Sequence, residues 1–145
     1  MQKVALGWDE FWAELFRIRH RSSIPGIEQY DRMVAEFCIE VLGLETGQEI
    51  LDIACGAGVH SIEFAKAGLR PTAFDLAESL VNAGKQRAQE LGVEVNCYAG
   101  DMREMDYHER FHAAVILSHS FGFFDHEGNK AVLRGVYNAL LPGGR

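Results

Sequence analysis

The sequence has no CxxC pair and no cluster of cysteine with histidine, so zinc and dithiol redox motifs of the usual spacing are excluded and no metal is expected. Its three cysteines, Cys38, Cys55 and Cys97, are odd in number and widely spaced, which suits small reduced core residues. No apolar run approaches the ~20 residues that span a bilayer. Residues 1–9 show no extended apolar region of the signal-peptide type. No membrane partner is expected, and the default location is cytoplasmic. Basic residues are also few: 14 Lys and Arg stand against 21 Asp and Glu, for a net charge of −7. A surface that tracks phosphates needs the opposite balance, so no nucleic-acid partner is expected. The one basic cluster, Arg17-Ile18-Arg19-His20-Arg21, reads as the solvated end of a helix. There is no Gly-Lys-Ser/Thr, which excludes P-loop chemistry, and there is no internal repeat or low-complexity stretch.

What is present is a globular composition, 48% hydrophobic and 24% charged over 145 residues, enough for one ordinary core. Trp8, Phe11, Trp12, Leu15 and Phe16 recur at helical spacing and predict a helix over 8–21. A second helix is predicted over 27–43, with Tyr30, Met33, Val34, Phe37, Cys38, Val41 and Leu42 as its apolar face and Gly43 or Gly47 as its stop. Tyr30 and Trp12 are alternative candidates for core packing or a lid. From there strands and helices alternate. Strands are expected near 50–53, 69–74, 93–98 and 113–117. Helices are expected over 59–67, 77–91 and 126–141, with Gly68 and Gly92 closing the first two. This alternation predicts right-handed βαβ units, a mostly parallel sheet and an α/β fold. Residues 1–46 would form a helical cap and 47–145 the core. Pro142-Gly143-Gly144 leads toward a further strand, which leaves the fourth strand at an open, association-prone sheet edge.

The chain turns around Leu51-Asp52-Ile53-Ala54-Cys55-Gly56-Ala57-Gly58, a buried strand running through a glycine turn into a helix. Gly56 and Gly58 permit a tight turn and close approach to a ligand, and the helix start offers free N–H groups. Asp75 ends the second strand and has two oxygens spaced for a ribose diol, or for a helix N-cap. Asp101 follows the third strand and could accept from an adenine amine, or serve as a turn aspartate. A dinucleotide fold needs a third glycine, but Ser61 stands there. Asp52 would also repel a diphosphate and favour a cationic ligand. A nicotinamide oxidoreductase is therefore the weakest of the alternatives.

These residues carry a resemblance. The segment 51–58 resembles the first motif of class I S-adenosylmethionine-dependent methyltransferases, with Ala54 in place of the usual first glycine. Phe74-Asp75-Leu76-Ala77 resembles the ribose motif and Gly100-Asp101-Met102 the adenine motif. Ser118-His119-Ser120-Phe121-Gly122-Phe123-Phe124 resembles the fourth-strand motif of the small-molecule members. The resemblance implies a Rossmann-like three-layer sandwich with strand order 3-2-1-4, truncated to about four strands because strands five to seven of the family are missing. That makes a fragment of a longer protein, or a short form that needs a partner. The implied cofactor is S-adenosyl-L-methionine, with S-adenosyl-L-homocysteine as product. Asp52, Ala54, Gly56 and Gly58 would hold its amino-acid end and Asp75 its ribose. Leu76 and Met102 would flank the adenine, Asp101 would meet its amine, and Ser118 would face the methionine part. His119 is the candidate base, against a plain wall histidine, while His60 is expected to be structural. No Asn/Asp-Pro-Pro-Tyr follows the fourth strand, which speaks against DNA-adenine and protein-glutamine methylation. The implied partner is a small-molecule methyl acceptor, and the alternative is a non-catalytic cofactor-binding domain.

Overall fold

The computed structural model describes residues 25–145. The helix expected over 8–21, and with it most of the proposed cap, lies outside the described residues. The chain runs α1 (Ile27–Leu42), β1 (Glu49–Ile53), α2 (Val59–Lys66), β2 (Arg70–Asp75) and α3 (Glu78–Glu90). It continues through β3 (Asn96–Ala99), a 3-10 turn (Met102–Glu104), β4 (Ala113–Ile116) and α4 (His126–Ala139). The sheet order is β3-β2-β1-β4 and all three pairings are parallel. Registers such as Asp52↔Ala73 and Asp52↔Val115 put β1 at the centre.

The first three helices end alike. Gly43, Gly68 and Gly92 have φ of 61°, 86° and 66°. The apolar residue after each donates its N–H back to a helix carbonyl, Leu44 to Ile39, Leu69 to Phe64 and Val93 to Ala88. This left-handed closure satisfies carbonyls that a helix end would otherwise leave unpaired. It also moves the strand starts. Leu69 and Val93, expected to open strands, are spent on closing helices, so β2 begins at Arg70 and β3 only at Asn96.

β1 is buried on both faces, as its short apolar run predicts. Ile50 packs with Ala35, Cys38, Phe64, Ala113 and Val115 on the α1/α2 side. Leu51 and Ile53 pack with Phe74, Met102, Phe111, Val132 and Ala139 on the α4 side. Phe64, Phe74 and Phe111 are fully buried, each contributing roughly 1.5–3 kcal/mol. His60, expected to be structural, is buried between α2 and α1 with its Nε2 3.6 Å from Asp31 Oδ1.

The fourth strand's outer edge is not open along its length, as the sequence suggested. After α4 the chain returns beside β4: Leu141 donates to the Phe111 carbonyl, Arg145 N–H to that of His112, and Ala114 N–H to that of Arg145. The Arg145 guanidinium also donates to the Leu42 carbonyl at 2.7 Å, a cation at the carboxyl end of α1. α4 stops at Ala139 rather than 141 because Leu140 turns extended and pairs with Phe111.

Candidate functional site

The turn after β1 is a run of alternating left-handed residues: Ala54, Gly56 and Gly58 have φ of 55°, 56° and 64°. For alanine this conformation costs roughly 1–2 kcal/mol. The surrounding bonds hold it: Cys55 N–H donates to the Phe74 carbonyl at 3.0 Å and Gly58 N–H to that of Cys55 at 2.9 Å. Helix α3 packs directly on this turn, because a Cβ on Gly84 would come within 2.8 Å of the Ala57 carbonyl oxygen. The close approach of Gly84 to the turn depends on tertiary placement.

Asp75 ties three strand ends together. Its Oδ2 accepts the Gly56 N–H at 2.8 Å and its Oδ1 accepts the Ala77 N–H at 2.9 Å. Its main-chain carbonyl accepts the Gly100 N–H at 3.0 Å. The N-cap alternative is not realised, since Ala77 holds that position and no side chain caps α3. A carboxylate has about four acceptor positions. Two are used by these main-chain N–H groups, and Asp75 is partly exposed.

Asp52, the acid of the motif, is buried. It is 2% exposed and accepts the Ser61 hydroxyl at 2.5 Å. Burial pushes its carboxyl up to about 7, with the Ser61 hydrogen bond opposing and the negative charge of Asp75 adding. Ser61, which replaces the third glycine, is thus the partner of the motif's acid. That link was not read from the sequence, although a hydroxyl in the first turn of the following helix was its visible signal.

Asp101 caps the 3-10 turn by accepting the Arg103 N–H, and the Arg103 guanidinium lowers its carboxyl below the usual range, helped by that backbone bond against partial burial. Met102 is 8% exposed and packs in the core, whereas Leu76 is 42% exposed. Ser118 and His119 are both exposed and left-handed, with φ of 56° and 64°. The register Ile53↔Ile116 sets the segment beginning at Leu117 beside the turn beginning at Ala54. A groove of about 570 Å³ between α1, α2 and α3, and another of about 840 Å³ toward the amino ends of β1 and β2, include none of these residues. Burial raises all three thiols, so none is an activated nucleophile. Among the described residues there is no group able to hold a metal ion and no helix long and apolar enough to cross a membrane.

A parallel sheet in this order, with a glycine turn after β1 and acids at the ends of β2 and β3, defines a Rossmann-like α/β domain with its ligand edge at the strand carboxyl ends. A methyltransferase-domain family model matches residues 50–144. The chain belongs to the class I S-adenosylmethionine-dependent methyltransferases. It is 33% identical over 115 residues to the S-adenosyl-L-methionine-dependent Diels-Alderase iliD of Neonectria sp. (strain DH2), covering 79% of this chain and 43% of that protein. It is 34% identical over 100 residues to the cypemycin N-terminal methyltransferase of Streptomyces sp., covering 68% and 40%. The chain thus spans less than half the length of these two relatives. The crystal structure of the Methanococcus maripaludis protein mmp1179 matches the fold with a TM-score of 0.79 at 18% identity, over 99% of this chain and 64% of that one.

Proposed function

We propose that this chain binds S-adenosyl-L-methionine at the carboxyl ends of its strands. In the whole protein this site would serve methyl transfer to a small-molecule acceptor, with S-adenosyl-L-homocysteine as product. One observation carries the reading: Asp75 locks the glycine turn while keeping acceptor capacity for a ribose diol. The other residues fit the group. Asp101 offers a carboxylate after β3, and exposed Leu76 offers an apolar wall to a base. Met102 supports that wall from the core. Asp52, buried and held by Ser61, acts through its field on a cationic ligand. The backbone at Ala54, Gly56, Gly58 and Ser118 would border the amino-acid end.

The bound cofactor supplies an electrophilic sulfonium methyl. What remains for the protein is to orient the acceptor in line and exclude water. A base is needed only for an acceptor that arrives protonated, and His119, exposed at the β4 end, is the candidate to take that proton. The second reading, cofactor binding without methyl transfer, is favoured by the 33% identical relative named a Diels-Alderase.

Calorimetry with S-adenosylmethionine, S-adenosylhomocysteine and NAD tests the cofactor. Binding of both sulfur ligands but not NAD is expected, and Asp75→Ala should weaken it by about 1–3 kcal/mol. Absence of heat with either sulfur ligand in a folded sample would overturn the reading. Methyl transfer is tested separately, with labelled cofactor and a panel of small amines, phenols and acids. Label that never leaves the cofactor would favour the second reading.

A further inference from the structure

Arg103 has no part in the reading above, yet it is heavily committed. Its backbone N–H donates to Asp101 Oδ1 at 2.9 Å and its Nε to the same oxygen at 3.0 Å. Nε also reaches Oδ2 at 3.1 Å, and Nη2 donates to Oδ2 at 2.5 Å. The guanidinium carbon lies 4.3 Å from the centre of the Phe124 ring. Phe124 is itself fixed: its carbonyl accepts Asn129 Nδ2 at 2.7 Å, and a Cβ on Gly128 would come within 2.6 Å of the Phe124 Cβ.

An exposed ion pair alone would mean little. Here the Asp101 side chain is only 14% exposed, and the arginine has two partners on different segments. Those segments follow β3 and β4, the two edge strands of the sheet. Asp101, Arg103 and Phe124 therefore link the segments that follow the two edge strands of the sheet. Because Nε is shared between both carboxylate oxygens, Oδ2 retains capacity for one further N–H.

We propose that Arg103 is a positioning residue for adenine recognition. It fixes the Asp101 carboxylate toward the exocyclic amine, and by stacking on Phe124 it ties that carboxylate to the segment after β4. The proposal rests on the cofactor reading above. It has a consequence that a merely structural arginine lacks: Arg103 should matter for a ligand that carries the amine and not for one that lacks it.

The test is calorimetry of the 145-residue chain with S-adenosylhomocysteine and with S-inosylhomocysteine, in which a carbonyl replaces the amine. Melting curves confirm that each variant is folded. Arg103→Ala is expected to weaken S-adenosylhomocysteine tenfold or more and S-inosylhomocysteine less than twofold. Arg103→Lys should recover part of the loss, and Phe124→Leu should lower the ratio of the two affinities several-fold. If Arg103→Ala does not fold, Arg103→Lys, Arg103→Gln and Phe124→Leu are judged by the same ratio. An unchanged ratio overturns the proposal, whether both ligands weaken equally or neither does. If the unaltered chain binds neither ligand, the cofactor reading fails and this proposal falls with it. If it binds S-adenosylhomocysteine and the ratio stays fixed in the variants, only the role of Arg103 fails.

Discussion

The ends of β1 and β2 and the end of β4 border the same ligand edge but are built differently. At β1 and β2 the turn is fixed by backbone bonds to Phe74, Cys55 and the Asp75 side chain, with Asp52 and Ser61 buried beneath it. At β4 the chain passes through two exposed left-handed residues, Ser118 and His119, and then presents Phe121 and Phe123 at 46% and 42% exposure. One side is finished before any ligand arrives, and the other is a surface loop. The pattern suits a constant ligand group on the first side and a variable one on the second.

The largest effect should come from the buried acid of the rigid side. Burial pushes the Asp52 carboxyl up to about 7 in the folded chain, against an ordinary 3.8. Between those values the folded state holds a proton that the unfolded state has lost. Stability should therefore fall as pH rises from about 4 to about 7 and stay flat beyond, with roughly 4 kcal/mol as a ceiling. Asp52→Asn, neutral throughout, should remove that part of the slope and be more stable than the unaltered chain at pH 8. Urea melts at pH 4, 6 and 8 measure it, and identical slopes in both proteins would refute it. Ionised Asp52 also favours a cation, so S-adenosylmethionine should bind more tightly at pH 8 than at pH 6, with a smaller change for the uncharged sulfur of S-adenosylhomocysteine.

Gly84→Ala should come next. In an ordinary helix interior this change stabilises by about 0.5–1 kcal/mol. Here the new Cβ meets backbone, the Ala57 carbonyl at 2.8 Å, which has little room to yield between Gly56 and Gly58. Overpacking should win, for a net loss of about 1–3 kcal/mol and weaker cofactor binding. A matched change on the other side, Phe121→Ala, should move stability by less than about 0.5 kcal/mol. Equal losses at the two positions would erase the contrast between the sides.

The same contrast governs what the sequence disclosed. The alternation of periods predicted the parallel sheet, because it is set by residues close in the chain, while the strand order was implied by the resemblance to the methyltransferase family. The turn glycines and Asp75 were legible for the same reason. Three features were not. Val93 looked like a strand residue, but its N–H closes α3 onto Ala88. The burial of Met102, in one core cluster with Leu51, Phe74 and Val132, depends on elements far apart in the chain. Arg103 gained its meaning from Phe124, which a whole strand and loop separate from it in the chain.

A small gain in stability tests whether the rigid side is strained as well as fixed. Ala54 is the one non-glycine in the alternating left-handed run 54, 56, 58. Ala54→Gly removes a cost of roughly 1–2 kcal/mol but loosens the unfolded chain by about 0.4–1 kcal/mol. The net should be a gain of about 0.5–1 kcal/mol, read as a higher melting temperature. Cofactor affinity should not change, because the bonds from Cys55 to Phe74 and from Gly56 to Asp75 hold the turn whichever residue precedes them. On the β4 side, His119→Gly relieves the same kind of strain, but the turn there is closed by a long 3.3 Å bond from the Ser120 N–H to the Leu117 carbonyl. The loop should become more mobile in hydrogen exchange as its stability rises, while the β1 turn stays protected in Ala54→Gly. If both glycines loosen their segments equally, the β1 turn is held by its own backbone preference and not by the network around Asp75.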